Sequence, residues 1–165
     1  MINSKAEFNF LNIDFTISFW MKLSEKGNFT IMSKSTGLDL FKSKWKLEIG
    51  PNNVVDGYFF TVFNETAKRG TGNGGDFNFI LGSWYHIVLA RSGNTFNYYI
   101  NGSGSGSGSF NITFPSTDVP LFFGSDETGI TGGPKSLKGI LDDIAIYNRA
   151  LTADEILKIY NGTGF

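Results

Sequence analysis

Two adjacent aspartates, Asp142 and Asp143, interrupt an apolar run that otherwise has the character of a strand, "KGILDDIAIY" (138–147). Successive strand residues point to opposite faces, so the two carboxylates are expected to leave the strand on opposite sides. Each would then project among apolar neighbours, Asp142 with Ile140 on the inward face, where an unpaired charge is costly to bury. Two chemistries would satisfy them: backbone N–H groups of a neighbouring segment, or Ca²⁺ with loop carbonyls completing its oxygen shell. Asp142 and Asp143 are therefore the candidate metal ligands, with the backbone tie as the alternative.

Catalytic chemistry finds little support in the residue types. Glycoside hydrolysis needs two carboxyl groups that face each other across a cleft, and neighbours on one strand do not. The sole histidine, His86, lies in a strand with no nucleophile elbow in its context, so we expect it to make a structural hydrogen bond. The glycine-rich "RGTGNGG" (69–75) lacks the Lys-Ser/Thr of a phosphate loop and is predicted to be a polar loop. We expect the chain not to be an enzyme.

Sugar binding would need an exposed aromatic ring beside amides and carboxylates, because rings stack on the apolar faces of sugars. Residues of these types lie in and beside the loops, and they are the candidate ligand-binding residues. They are Trp45, Tyr58, Arg69, Asn73, Asp76, Asp126 and Glu127. The alternative for Trp45 is core packing with Leu47 and Ile49, which share its face. The alternative for the polar residues is an ordinary solvated loop.

The composition excludes several classes of partner. The 165 residues carry a net charge of -1 with no basic stripe, so we expect no nucleic-acid binding. No apolar stretch approaches the roughly twenty residues that span a bilayer, so we expect no membrane insertion. The chain has 17 Phe, 21 Gly and no Cys, which indicates short aromatic strands joined by tight turns and excludes a disulfide scaffold.

The elements that would position these residues are mostly strands. "FTISFWMKL" (15–23) alternates cleanly, with Trp20 on the polar face, and "WYHIVLAR" (84–91) is apolar on both faces, as in a covered central strand. "NGSGSGSGS" (101–109) is predicted to be a flexible hairpin tip from which the chain returns as the strand "FNITF" (110–114). Further strands are predicted at 29–34, 44–50, 57–63, 95–100, 119–124 and 138–147.

One helix is expected, near the C-terminus. Thr152 and Glu155 have the spacing of a capping box, and Gly162 stands where a helix-ending glycine belongs. Strands at this regular spacing with one short C-terminal helix predict an all-β fold, a two-sheet antiparallel β-sandwich. The length fits a single domain over 1–165, which we expect to be one module of a larger protein.

Three segments resemble the signature stretches of laminin-G-like, concanavalin A-like domains. They are "FTISFWMK", "GSWYHIVLARSGNTFNYYING" and "LKGILDDIAIYNRALTADEI", which occur in the family's order and bracket nearly the whole chain. The resemblance implies a curved jelly-roll sandwich. The superfamily includes lectins, pentraxin-like proteins, carbohydrate-binding modules, adhesion modules and glucanases, so the fold alone does not fix the function. Relatives often hold a calcium ion.

The resemblance also sharpens the functional expectation. The superfamily's glucanases carry Glu-x-Asp-x-x-Glu on one strand, and no glutamate in this chain has an aspartate two positions later. We therefore expect a non-catalytic, lectin-like carbohydrate-binding or adhesion module of an extracellular, cell-surface or virion-surface protein. Its partner would be a glycan or a surface protein, with Ca²⁺ as the candidate cofactor. The alternative is a structural or protein-interaction domain of a fibre or multidomain adhesin with no glycan ligand.

Overall fold

The computed structural model describes residues 9–10, 12–34, 45–51, 58–64, 77–111, 113–114, 118–125 and 135–164. Within these ranges the chain forms ten strands and one helix. In chain order they are β1 (Phe15–Leu23), β2 (Phe29–Lys34), β3 (Trp45–Pro51), β4 (Tyr58–Asn64), β5 (Trp84–Ser92), β6 (Thr95–Ile100), β7 (Ser103–Ser109), β8 (Leu121–Phe123), β9 (Lys135–Ser136), β10 (Gly139–Tyr147) and α1 (Ala153–Tyr160).

The strands form two sheets, which confirms the predicted all-β sandwich. The first sheet has the order β10-β1-β5-β6-β7, and every neighbouring pair in it is antiparallel. The second has the order β4-β3-β2-β8, also antiparallel, with the two-residue β9 pairing in parallel with β2. Apart from that short strand, the antiparallel prediction holds.

The core lies between the sheets and is strongly aromatic. The inward face of β1, from Phe15 to Leu23, is buried as its alternation predicts. Phe10 stacks on Phe15 with ring centroids 4.0 Å apart, and Phe114 meets both rings edge-on. Full burial of each such ring contributes about 1.5–3 kcal/mol, so these contacts hold the two sheets together.

The outer face of the first sheet carries α1. Val88 of β5 is fully buried there with Leu151 and Ile156, and Ile159 packs against them. The helix begins with the predicted capping box: Glu155 N–H donates to Thr152 Oγ1, and Thr152 N–H donates to Glu155 Oε2. This explains why β5 is apolar on both faces, with one face toward the core and the other under the helix.

The Gly-Ser repeat departs from the prediction. Asn101 and Gly102, with φ of 51° and 75°, form the two-residue turn, and the repeat itself is the edge strand β7 paired with β6. It is therefore a strand and not a flexible tip, and residues 110–114 do not form the predicted returning strand where the structure describes them. The Asn-Gly turn favours a tight hairpin, and strict Ser/Gly alternation is compatible with a pleated strand.

The faces of β10 also differ from the prediction. A β-bulge lies between the pairs Trp20–Asp142 and Ser18–Ala145. The step from one pair to the next is two residues along β1 but three residues along β10. Asp143, with φ of 47°, occupies the left-handed region at the bulge. Leu141 and Ile144 both pack toward the core although they are three residues apart. Asp142 is consequently an exposed residue of the outer face, and its predicted burial with Ile140 was wrong.

Candidate functional site

Two tryptophans meet on the outer face of the first sheet. Across β10, β1 and β5 the register places Asp142, Trp20 and His86 in one row. The next row on the same face contains Lys22 and Trp84. Trp20 and Trp84 are therefore diagonal neighbours on adjacent strands, within the reach of large side chains.

These two rings and the two aspartates line one open depression. Its volume is about 260 Å³, and its walls are Trp20, Trp84, Asp142 and Asp143. Trp84 is 39% exposed, a high value for so large an apolar side chain. Ligand pockets typically start at about 300 Å³, so the depression suits a small group such as a single sugar ring.

The bulge in β10 brings both carboxylates to this depression. On a regular strand Asp142 and Asp143 would point to opposite faces. The left-handed conformation of Asp143 breaks the alternation, and its N–H donates to Asp142 Oδ1 at 2.9 Å. Aspartate tolerates that conformation better than most residues because its short side chain bonds local backbone. The local sequence therefore produces an acidic wall beside two indole rings.

A cation also belongs to the depression's surroundings. Lys22 Nζ lies 4.9 Å from the ring centroid of Trp84. An ammonium in that position is attracted by the negative face of the indole. The contact holds a positive charge against one of the two rings that line the site.

The ring of Trp20 contacts one aromatic ring from the sheet and another from the helix. His86 lies 5.3 Å from it and Tyr160 of α1 lies 5.8 Å from it, centroid to centroid. The His86 and Tyr160 rings stack on each other at 6.0 Å. Trp20 is thus fixed by the sheet and the helix together, which lowers the entropy that binding would cost.

His86 makes the structural hydrogen bond that was predicted for it. Its Nε2 lies 2.8 Å from Ser18 Oγ, and the side chain is buried. Burial lowers the pKa of His86, because desolvation disfavours the imidazolium form. The residue supports Trp20 from within the sheet.

Of the seven residues predicted to bind a ligand, the structure describes two, Trp45 and Tyr58. Trp45 is 2% exposed and packs on Phe10 with ring centroids 5.0 Å apart, so it is a core residue and cannot offer an exposed stacking face. Tyr58 begins β4 opposite Pro51. The remaining five candidates lie outside the described residues. They are Arg69, Asn73, Asp76, Asp126 and Glu127.

Trp20 and Trp84 line the depression but were not among the predicted ligand-binding residues, although one signal in the sequence pointed to Trp20. In "FTISFWMKL" the large ring of Trp20 stands on the polar face, between Ser18 and Lys22. A large aromatic residue on the solvent side of a strand is unusual and marks either a covering element or a binding surface. Here α1 covers one side of the ring, and another side of it lines the depression.

Calcium was one of the two chemistries considered for Asp142 and Asp143. In the ranges that the structure describes, no group of three or more Asp, Glu, His or Cys side chains converges as metal ligands would. Ca²⁺ takes about 6–8 oxygen ligands, and two carboxylates supply too few. The described residues do not fit a complete calcium site, and calcium binding at the pair stays a prediction.

Among the described helices, none has the length and apolar character needed to cross a membrane.

Comparison with known proteins places the fold. A family model described as the Concanavalin A-like lectin/glucanases superfamily, of the laminin G type, matches residues 2–157. The adhesion G-protein coupled receptor V1 of Danio rerio is 21% identical over 154 residues, which is 90% of this chain and 2% of the receptor. The chain thus spans a very small part of the curated relative that it matches.

Solved structures agree in fold at low sequence identity. A heptameric SAP-like pentraxin from Limulus polyphemus has a TM-score of 0.72 at 18% identity, covering 100% of this chain and 75% of the pentraxin. Domain 4 of AbnA, a GH43 extracellular arabinanase from Geobacillus stearothermophilus, was solved in complex with arabinotriose. It has a TM-score of 0.69 at 18% identity, covering 91% of this chain and 67% of that domain. With the family model matching nearly the whole chain, this protein belongs to the laminin G type of the concanavalin A-like lectin/glucanase superfamily.

Proposed function

We propose that this chain is a non-catalytic carbohydrate-binding or adhesion module of an extracellular, cell-surface or virion-surface protein. The depression lined by Trp20, Trp84, Asp142 and Asp143 is the observation that carries the proposal. Indole rings stack on the apolar faces of sugars, and carboxylates accept hydrogen bonds from sugar hydroxyls. The four side chains thus supply both kinds of contact in one place.

The relatives support this class of function. The arabinanase domain was solved with an oligosaccharide, and the zebrafish relative is an adhesion receptor. Both descriptions fit a module that acts outside the cell, which is why we propose that location for this chain.

The non-catalytic part of the proposal is supported by the carboxyl groups. No Glu-x-Asp-x-x-Glu occurs in the chain. Asp142 and Asp143 are adjacent and joined through the Asp143 N–H, so they form one wall of the depression. Glycosidases place their two carboxyl groups on either side of the bond that breaks.

A single ring deletion tests the proposal. We expect Trp84→Ala to weaken binding of the best ligand in a glycan array about tenfold, because a stacking surface worth about 1.4 kcal/mol is lost. Titration calorimetry on the array's strongest binder measures the change. Ile13→Ala is the matched control. Ile13 is similarly exposed, at 43%, but it precedes the N-terminal end of β1 and does not line the depression. Equal affinities for wild type and Trp84→Ala would place the binding site elsewhere.

A second function, protein interaction without a glycan, is favoured by an apolar surface next to the depression. Ile80, Leu81, Trp84 and Ile140 are all large and exposed, at 69%, 43%, 39% and 49%. Ile80–Ser83 is a turn that leads directly into β5, and Ile140 shares the row of Lys22 and Trp84. A trimer in sedimentation, with no glycan bound on the array, would favour this fibre or adhesin role over the lectin role.

A further inference from the structure

The charges that surround the depression limit the class of sugar that it would bind. This inference rests on the proposed function. Two of its four lining residues are carboxylates, and both are exposed toward solvent. Among the described residues, no Lys or Arg forms an ion pair with Asp142 or Asp143, and Asp142 Oδ1 accepts a hydrogen bond from a neutral backbone N–H. A ligand in the depression therefore meets an acidic wall.

The other two lining residues, Trp20 and Trp84, also favour a positively charged group in the ligand. The face of an indole ring carries negative electrostatic potential and attracts cations. Lys22 Nζ lies 4.9 Å from the centroid of the Trp84 ring, so one of the two indoles already makes a cation–π contact with an ammonium group. Aromatic faces and carboxylates together form an environment for a positively charged group.

We propose that the depression selects sugars that carry a protonated amino group, and that it discriminates against acidic sugars. The sugar ring stacks on the indoles while its ammonium group points to Asp142 and Asp143. The carboxylate of a uronic or sialic acid would meet like charge at the same wall, so acidic glycans bind more weakly than uncharged ones.

A matched ligand series tests this proposal. The probes are gluco- and galacto-configured oligosaccharides of equal length in three forms: free amine, N-acetylated and uronate. The first two forms share a backbone and differ in the charge and in the acetyl group on each nitrogen. We expect calorimetry at mildly acidic pH, where the sugar amine is protonated, and at low salt to give the order amine, then N-acetyl, then uronate, with about threefold to tenfold between the first two. Added salt should compress the order, because the charges are near solvent.

Two variants shift the preference in opposite directions. In Asp142→Asn/Asp143→Asn the hydrogen-bond acceptor at 142 and the tolerance for φ of 47° at 143 are both kept, so the fold is preserved while the charge is lost. We expect the amine and N-acetyl forms to bind equally to this variant. Lys22→Met removes the resident ammonium and should strengthen the preference for the amine. Asp154→Asn, in the first turn of α1, makes the same charge change away from the lining residues and should leave the order unchanged.

The outcomes separate this inference from the proposed function. Tight binding of N-acetylated or acidic forms, equal to or above the amine, would overturn the charge selection and leave glycan binding intact. An amine preference that survives Asp142→Asn/Asp143→Asn would show that charge elsewhere decides it, which also overturns the inference. Failure of every form to bind, together with an empty glycan array, would remove the proposed function and the inference with it.

Discussion

At the scale of single residues, the two aspartates show how one backbone conformation decides a site. The left-handed φ of Asp143 turns both carboxylates to the outer face, where Asp142 is exposed. An exposed carboxylate with one backbone hydrogen bond contributes far less to stability than a buried one with several. The aspartates therefore belong to the surface chemistry of the domain and not to its core.

This placement makes a prediction about stability. We expect Asp142→Ala to lower the free energy of unfolding by less than about 1 kcal/mol, because a single exposed hydrogen bond is lost. Asp142→Asn keeps the acceptor and should be close to neutral. Urea denaturation of the three proteins measures the differences. A loss of about 3 kcal/mol or more in Asp142→Ala would mean that the carboxylate holds a metal or a segment outside the described residues.

The same variants examine calcium. A ligand that binds only the native state at a hundredfold excess over its dissociation constant adds about 2.7 kcal/mol. Calcium at the pair would therefore give the wild type a melting temperature that falls by several degrees in EDTA, with little change in Asp142→Ala. Identical wild-type melts with and without EDTA would rule the metal out at ordinary affinities.

His86 gives the domain a pH-dependent stability. Burial lowers the pKa of the folded-state imidazole below its unfolded value of about 6.5. The unfolded chain then takes up the proton first as the pH falls. Stability is fully present above about pH 6.5 and declines as the pH falls through the folded pKa, with a slope of at most about 1.4 kcal/mol per pH unit.

Chemical denaturation between about pH 7 and 5 measures this slope against that of His86→Gln, which lacks the titrating group. The variant should be less stable at neutral pH, because the ring contacts of His86 with Trp20 and Tyr160 are lost, and it should show a shallower decline. Parallel curves for the two proteins would assign the pH dependence to other groups.

At the scale of elements, the β6–β7 hairpin packs closely against α1 at a single residue of its turn, a glycine. Gly102 has φ of 75°, and a Cβ built on it would lie 2.9 Å from Leu157 Cδ1 and 3.1 Å from Tyr160 Cδ1. The absence of a side chain at the turn lets the helix settle against the hairpin. Because Tyr160 also stacks on Trp20, the turn indirectly positions a wall of the depression.

Two glycine substitutions separate strain from crowding. Gly93, in the β5–β6 turn, also has a positive φ of 58°, and nothing lies within 4 Å of its Cβ position. We expect Gly93→Ala to cost about 1–2 kcal/mol from backbone strain alone. Gly102→Ala should cost about 1–3 kcal/mol more, since the helix must move. Thermal denaturation compares the two variants. Equal losses of stability would mean that α1 shifts to accommodate the added methyl group with no loss of free energy.

At the scale of the whole molecule, the alternation of side chains predicted the sandwich well. The faces of β1, the doubly covered β5 and the capped helix all followed from the periodicity and spacing of their residues. Patterns of this kind survive because burying the wrong face of a strand costs many kcal/mol.

The rest could not be predicted because it depends on breaks in that alternation. One extra residue in β10 exchanged the faces of Asp142 and its neighbours, and no residue type marks a bulge uniquely. Trp45 and Trp84 both begin strands, and only the tertiary packing makes one a core residue at 2% exposure and the other a surface ring at 39%. The strand character of the Gly-Ser repeat came from the partner strand β6 and not from local propensity.

The repeating strand β7 has one further consequence. Its sequence from Ser103 to Ser109 repeats every two residues. A pairing with β6 that is shifted by two residues would therefore present the same side chains to β6. The tight turn at Asn101 and Gly102 is what fixes the alignment at one end. Insertion or loss of a Ser-Gly dipeptide would thus be absorbed at the far end of the strand. We expect this edge of the domain to tolerate such a change in length while the pairing of β6 with β5 stays the same.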